Sequence, residues 1–239
     1  MKYLNAIFLQ CLVLMIGLLF SHAMFAGSKD DPTLSSIMIN QFEYSDNDRV
    51  DVWALDAQGW IGKDLKKFWF KTEAEYSENE LEELEVQALV SKAISPYWDV
   101  QFGVRQDFEP RPDRSWGVLG VQGLAPYFFE VDAALFVGSS GRTAVRLDAE
   151  YELMLTQQWV LTPEIELNAY GKDDLLLGIG SGFSDITAGL RLRYEFKREF
   201  GLYTGVEWVK KFGKTADIAE LNGEKDSDSK WVLGIRAWY

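Results

Sequence analysis

The stretch RTAVRLDAEYELMLT, residues 142–156, alternates apolar and charged side chains with a period of two. Between positions 145 and 153 the apolar residues are Val145, Leu147, Ala149, Tyr151 and Leu153, and the charged residues are Arg146, Asp148, Glu150 and Glu152. A helix would scatter these charges around its circumference, whereas on a strand successive side chains point to opposite faces. The stretch therefore predicts a strand with one apolar and one charged face, lying between two different media.

The same alternation recurs along the chain. Strands are predicted at residues 36–45, 50–62, 66–77, 81–95, 98–108, 115–125, 127–138, 142–156, 159–171, 185–197, 201–213 and 230–239. Short turns such as 95–97 alternate with longer loops such as 171–185 and 213–229, although two members of the second set are short. This arrangement is typical of outer-membrane barrels, in which closure leaves no unpaired strand edge. The sequence predicts an all-β fold, a transmembrane antiparallel up-and-down β-barrel of about 12 strands in the outer membrane.

Aromatic residues collect at the short-turn rim, as in the interfacial girdles of such barrels. The predicted girdle consists of Trp60, Phe68, Tyr97, Trp98, Tyr127, Phe128, Trp159, Phe200 and Tyr239. The alternative is a soluble β-sandwich, which would need a second sheet to cover the apolar face. The last strand, 230–239, ends on Tyr239 and resembles the C-terminal signal by which the assembly machinery of the Gram-negative outer membrane recognises its substrates.

The N-terminal residues form a targeting segment. An apolar run followed by the small-residue exit SHAMFA predicts a signal peptide over residues 1–26, cleaved after Ala23 or Ala26, with a permanent membrane helix as the alternative. A short polar segment, 27–35, and a barrel domain, 36–239, are predicted to follow.

Cys11 and His22 are the only cysteine and the only histidine, and both precede the cleavage points. The mature protein is therefore expected to lack disulfides, histidine metal sites and histidine-activated nucleophiles. An outer-membrane hydrolase would need such a nucleophile, so the sequence predicts a protein that is not an enzyme. The formal net charge of −13 argues against nucleic acid as a partner.

Strand parity places carboxylates on the inward face of neighbouring strands, and tight connections allow them to pair directly. The expected pairs are Glu150 with Glu164, Asp148 with Glu166, Asp132 with Asp148, and Glu130 with Glu150. We call these six residues (Glu130, Asp132, Asp148, Glu150, Glu164 and Glu166) the acid wall. Carboxylates this close need protonation, arginine partners or a bound cation.

Arginines on the same inward faces are the predicted counter-charges of the acid wall. They are Arg146, Arg191 and Arg193, and the last two are expected within reach of Glu164 and Glu166. Two interpretations stay open: a salt-bridge network that fills a narrow barrel, or a wall that binds or conducts cations. Met154 shares the inward parity and is a further candidate metal ligand, although a lone methionine there is more often a packing residue.

Gly178, Gly180 and Gly182 form a G-x-G-x-G run in the 171–185 region. A nucleotide site would need a helix directly after such a run to receive a phosphate. A flexible loop is predicted instead.

Several segments resemble the copper resistance protein B family of bacterial outer-membrane proteins. They are AQGWIGKDLKKFWFKTE (57–73), the stretch 95–157 that begins SPYWDVQFGVRQDFEPRPDRSWGVLG, LTPEIELNAYGKDD (161–174), GSGFSDITAGLRLRYEFKREFGLYTGVEWVKKFG (180–213) and the final GIRAWY. The resemblance implies a twelve-stranded barrel concerned with copper tolerance, copper ions as its ligand, and a periplasmic multicopper oxidase as a partner.

Many members of that family carry a Met- and His-rich segment before the barrel, whereas the corresponding GSKDDPTLSS (27–36) has neither residue. Besides Met154, only Met38 and, with early cleavage, Met24 remain, so copper would meet mainly carboxylate oxygens, which discriminate poorly among divalent cations. The prediction is copper handling by weak binding or by passage through an acidic lumen. The alternative is a narrow general cation or small-solute channel without copper selectivity.

Overall fold

A computed structural model of the chain describes residues 32–47, 50–77 and 80–239. The predicted signal peptide and residues 27–31 lie outside the described residues. The strands are β1 (Leu34–Asn47), β2 (Val50–Lys63), β3 (Lys66–Ser77), β4 (Glu80–Ser95), β5 (Trp98–Glu109), β6 (Arg114–Ala125), β7 (Phe129–Gly138), β8 (Thr143–Glu150), β9 (Leu153–Met154), β10 (Trp159–Tyr170), β11 (Gly182–Lys197), β12 (Phe200–Lys211) and β13 (Ser227–Trp238). Strands β8 and β9 both pair with β10 and are two parts of one barrel strand, so the barrel has twelve.

The first and last strands pair with each other and close the barrel. Met38 lies opposite Trp238, and the Ile37 and Tyr239 amides donate to each other's carbonyls at 2.9 and 2.8 Å. Each strand is antiparallel to its sequence neighbours. The predicted twelve-stranded antiparallel barrel is confirmed, and the β-sandwich alternative is wrong.

The distribution of polarity is the reverse of that in a water-soluble protein. Phe102 is 69% exposed on the outside, while Glu85 and Arg191 are 1% and 5% exposed inside. An outer surface of this kind needs a lipid environment, because a water-soluble monomer rarely exposes so continuous an apolar surface. Among the described residues, no helix has the length and apolar composition that a membrane span requires.

The aromatic girdle is largely as predicted, with one correction. Tyr97, Tyr127 and Phe128 are 65%, 83% and 73% exposed at the short-turn rim. Trp60, however, points into the barrel, where its ring lies 6.1 Å from that of the buried Trp69. Position at the rim does not determine which side a residue faces, and the phase of β2 turns its even-numbered residues inward.

The long predicted strand 142–156 is interrupted after Glu150. Tyr151 donates its amide to the Pro163 carbonyl at 3.1 Å, but the proline has no N–H with which to return the bond. The ladder resumes at Leu153, opposite Leu161.

Strand β7 likewise begins at Phe129 and not at 127, because Pro126–Phe128 forms a 3₁₀ turn.

The predicted loop 213–229 contains a helix, α1 (Gly213–Leu221). Its Thr215 hydroxyl accepts the Gly180 amide at 3.0 Å and lies 3.0 Å from the hydroxyl of the buried Ser184. A Cβ on Gly180 would come within 2.3 Å of the Lys214 Cβ, so glycine permits this close approach. Gly178 and Gly180 therefore lie in a loop, as predicted, and this loop is packed against α1, whereas Gly182 is the first residue of β11.

Candidate functional site: an acidic lumen

The acid wall has the predicted register. Strands β7, β8 and β10 place Glu130, Glu150 and Glu164 in one cross-strand row, and Asp132, Asp148 and Glu166 in the next. Directly opposed residues share a face, with Cβ atoms about 4.5–5.5 Å apart. Six carboxylates therefore share one inner wall, as strand parity predicts.

Most of these carboxylates meet a cation from elsewhere in the barrel. Arg191 bonds Glu164, Arg236 lies 3.3 Å from Glu150, and Lys71 pairs with Asp132. Arg146 approaches Glu166 more loosely, with 3.8 Å between Nε and Oε1. The wall is thus partly neutralised from several sides.

Two members of the wall lack such a partner. Within the described part of the chain, no lysine or arginine nitrogen lies within ion-pair distance of Glu130 or Asp148. Both face another carboxylate in the register: Glu130 faces Glu150, and Asp148 faces Asp132 on one side and Glu166 on the other. These positions are where an additional positive charge would be most stabilising.

Arg191 pairs with one member of the wall, Glu164, and with two further carboxylates. Its guanidinium binds both Glu43 oxygens, contacts Glu164 and reaches Glu207 at 3.0 Å. The prediction that Arg191 neutralises Glu164 is confirmed. Arg193 is a correction, because it lies closer to the short-turn rim and binds Glu152 at 2.6 Å and Glu195 at 3.1 Å instead of Glu164 or Glu166.

Arg146 crosses the lumen instead of staying with its own wall. It donates to both Glu73 oxygens at 2.9 Å and to Glu85 at 3.2 Å, on strands β3 and β4. Arg105 contacts Glu85 at 2.7 Å, and the Arg105 and Arg146 guanidinium carbons lie 4.8 and 5.8 Å from the Phe136 ring centroid. These contacts tie opposite sides of the barrel together, as in the space-filling interpretation.

A second carboxylate cluster faces the acid wall. Glu73, Glu83 and Glu85 each place one oxygen within 4.8 Å of the others, a spacing compatible with a shared cation. Strand parity assigns all three to the inward face. It did not predict their convergence, because parity determines the face of a residue and not its distance to residues of other strands.

Met154 lies opposite Val160 at the short-turn rim and is 72% exposed. Val160 is four residues along β10 from Glu164, so the thioether stands at the edge of the wall and not within it.

Glu43 was not predicted as a lumen residue. Its signal is the phase slip between Ile39 and Phe42, where a bulge in β1 turns the even-numbered residues outward and Glu43 inward.

The long-loop end of the lumen opens into a vestibule. A cavity of about 200 Å³ is lined by Val52, Glu75, Glu207, Val209, Asp228, Ser229 and Lys230. Lys230 pairs with Glu207 at 3.0 Å. The entrance from this side therefore carries more acidic than basic groups and attracts cations.

Comparison with known proteins connects this geometry with a family. The family described as copper resistance protein B precursor (CopB) matches residues 33–239. The chain is 42% identical over 203 residues to Copper resistance protein B of Escherichia coli, covering 85% of this chain and 69% of that protein. It is 41% identical over 210 residues to the Copper resistance protein B homolog of Pseudomonas syringae pv. tomato, covering 88% and 71%.

Solved structures similar to this one are outer-membrane porins. The NanC porin superposes with a TM-score of 0.58 at 12% identity, covering 85% of this chain and 99% of NanC. The KdgM porin gives 0.52 at 12% identity, covering 84% and 98%. At this identity the likeness concerns the fold alone, which is that of a barrel in the outer membrane. With the family match over nearly the whole barrel, the chain belongs to the copper resistance protein B family of outer-membrane proteins.

Proposed function

We propose that this barrel takes part in copper resistance by handling Cu(II) as its cargo, through weak binding to the acid wall or passage along it. Family membership supplies the connection with copper. The observation that supports the lumen as the place is the double row of carboxylates in which Glu130 and Asp148 have no basic partner among the described residues. A divalent cation there would provide the missing positive charge.

The available donors limit how copper can be held. Carboxylate oxygens suit Cu(II) in part but select poorly among divalent ions, whereas Cu(I) prefers thioether and thiolate sulfur. In the described barrel, Met38 and Met154 are the methionines and there is no cysteine or histidine. We therefore propose weak binding of Cu(II), hardly any of Cu(I), and no catalysis.

Partnership is proposed on the family resemblance alone. A periplasmic multicopper oxidase would approach the short-turn rim, which faces the periplasm in barrels of this type. Cu(II) passing the wall would reach that rim.

The second candidate is a narrow cation or small-solute channel without copper selectivity. The acidic vestibule at the long-loop end supports it, because nothing in its carboxylate lining favours copper over another cation. The two candidates differ in whether copper interacts with the lumen differently from other ions.

Conductance of the purified barrel in a planar bilayer distinguishes them. We expect a small cation current that Cu(II) reduces, and we expect Asp148→Asn/Glu150→Gln/Glu164→Gln/Glu166→Gln to lose this block. A matched control is Asp217→Asn/Glu220→Gln on the exposed face of α1, which should behave as the unmodified barrel. A cation current indifferent to copper supports the general channel, and a closed barrel that ignores metal contradicts both transport proposals.

A further inference from the structure

Three lysines lie side by side on the outer surface of the barrel at the short-turn rim. Lys63 on β2 is directly opposite Lys66 on β3, and Lys66 is directly opposite Lys92 on β4. All three are exposed. We call them the lysine row.

Strand phase places the lysine row on the lipid-facing side. On the same strands Ile61, Phe68 and Val90 are 54%, 49% and 57% exposed, and each is two residues from one of the lysines. The alternate residues point inward, as shown by Lys67, which pairs with Asp99 at 3.3 Å and lies over the Trp60 ring. The lysine row therefore belongs to the surface that contacts the membrane.

Its height corresponds to the headgroup layer. The lysines lie about 6–7 Å further along the strand than the apolar residues two positions away, at about 3.3 Å per residue. Because barrel strands are tilted by about 40°, this places them about 5 Å further from the membrane centre. Exposed Ile94 and Tyr97 flank them at the same rim, and interfacial aromatics mark the headgroup level. Long lysine side chains readily extend from such positions towards the interface.

The Lys66–Lys92 pair is unfavourable without an anion. Like charges directly opposite each other on neighbouring strands are destabilising. Within the described residues, neither Lys66 nor Lys92 forms an ion pair, and the tip of the hairpin, 62–67, contains one acidic residue, Asp64. This excess of positive charge also contrasts with a chain whose net charge is −13.

We infer that the lysine row is a binding site for anionic phospholipid headgroups in the periplasmic leaflet of the outer membrane. The phosphates of phosphatidylglycerol or cardiolipin would lie between neighbouring ammonium groups and relieve their repulsion. Their acyl chains would cover Ile61, Phe68, Val90 and Ile94. Continuity with the lipid-facing surface favours a membrane lipid over a soluble anion, which would leave those side chains uncovered.

Lipid selection by the full mature barrel tests the inference. The barrel is reconstituted in nanodiscs of phosphatidylethanolamine with a minor fraction of phosphatidylglycerol, and the lipids retained with it are counted by native mass spectrometry. We expect enrichment of phosphatidylglycerol by about fivefold per lysine, which falls as salt increases. Lys63→Gln/Lys66→Gln/Lys92→Gln should abolish the enrichment, and the corresponding triple arginine variant should retain it.

Lys172→Gln/Lys225→Gln, which removes exposed lysines from the long-loop side, is the matched control and should keep the enrichment. The inference is overturned by an unmodified barrel that retains both lipids in their bulk proportion. A triple glutamine variant that still selects phosphatidylglycerol would overturn it equally. Heat-modified mobility on gels shows independently whether each variant is folded. Loss of phosphatidylglycerol enrichment is interpreted only for folded variants.

Discussion

At the scale of single residues, the lumen depends on a few arginines that each hold several carboxylates. Arg191 gathers Glu43, Glu164 and Glu207 from three strands while being 5% exposed. Removing one partner of a buried ion pair costs more than the pair itself contributes, because the remaining charges stay buried without compensation. Arg191 should therefore be far more important for stability than an exposed arginine.

We predict that Arg191→Met destabilises the barrel by about 3–5 kcal/mol near neutral pH. Urea unfolding in detergent micelles, followed by heat-modified gel mobility, measures this loss.

Arg111→Met is the matched control for that measurement. Its side chain is 81% exposed and pairs with Glu109 at the surface, so the change should stay within about 0.5 kcal/mol. Equal stability of the Arg191 and Arg111 variants would contradict the role given to Arg191.

Sequence parity predicted the six residues of the acid wall and the pairing of Arg191 with Glu164, because a period of two assigns each side chain to a face. It could not predict that Arg146 reaches Glu73 and Glu85, since contacts across a lumen depend on the curvature of the barrel. Arg193 was assigned to the wrong carboxylates for a related reason. It lies two residues nearer the rim than Arg191, where Glu152 and Glu195 are closer.

At the scale of elements, the long loops are packed together and not independent. Asp173, in the loop after β10, accepts the Ser181 amide at 2.6 Å and pairs with Lys214 of α1 at 3.1 Å. The next residue, Asp174, pairs with the buried Arg114 at 3.2 Å and with Arg142 at 3.4 Å. Helix α1 was not predicted because it has no apolar stripe of its own. Thr215 and Ala219 are buried, and the Thr215 hydroxyl accepts the Gly180 amide of another segment.

We predict that trypsin added to intact cells cuts after Lys225, which is exposed between α1 and β13 on the long-loop side. Asp173→Asn should increase trypsin cleavage after Lys214 by about two- to fivefold, because it removes the ion pair that restrains the start of α1. The expected increase is small because an exposed ion pair contributes little free energy. Asp217→Asn, which lies on α1 as Lys214 does, is the control and should leave the cleavage pattern unchanged. Cleavage that requires a broken outer membrane would show that the long loops face the periplasm and not the cell exterior.

The same contact has a defined pH dependence. Hydrogen bonds from Ser181 and the nearby Lys214 ammonium lower the pKa of Asp173 from its ordinary value to about 2. A lowered carboxyl pKa means that the interaction is complete above about pH 4 and is lost as the pH falls through about 2. Protection of Lys214 from proteolysis should therefore be constant across the neutral range. Protection that declines between about pH 7 and pH 5 in a protease assay would contradict this assignment.

At the scale of the whole molecule, an apolar exterior places the barrel in the membrane, and a highly charged interior is the basis of the proposed function. The alternation quoted from residues 142–156 predicted this partition, and the barrel shows it on every side. Pro163 interrupts the pairing locally without changing the phase, since Leu153 and Leu161 resume the same register. Strand parity left open whether the interior is a filled network or a cation site. The lumen contains both cross-lumen ion pairs and, among the described residues, two carboxylates without a basic partner.

The most direct test of the central claim is equilibrium binding of Cu(II) to the purified mature barrel, compared with Asp148→Asn/Glu150→Gln/Glu164→Gln/Glu166→Gln. We predict weak binding that excess Ca²⁺ or Mn²⁺ displaces, and no binding to the amide variant, which keeps the side-chain size but loses the charge. Cu(I), titrated in competition with a chelator, should hardly bind. Tight Cu(I) binding, or Cu(II) binding that the amide variant retains, would contradict the assignment of copper to the acid wall.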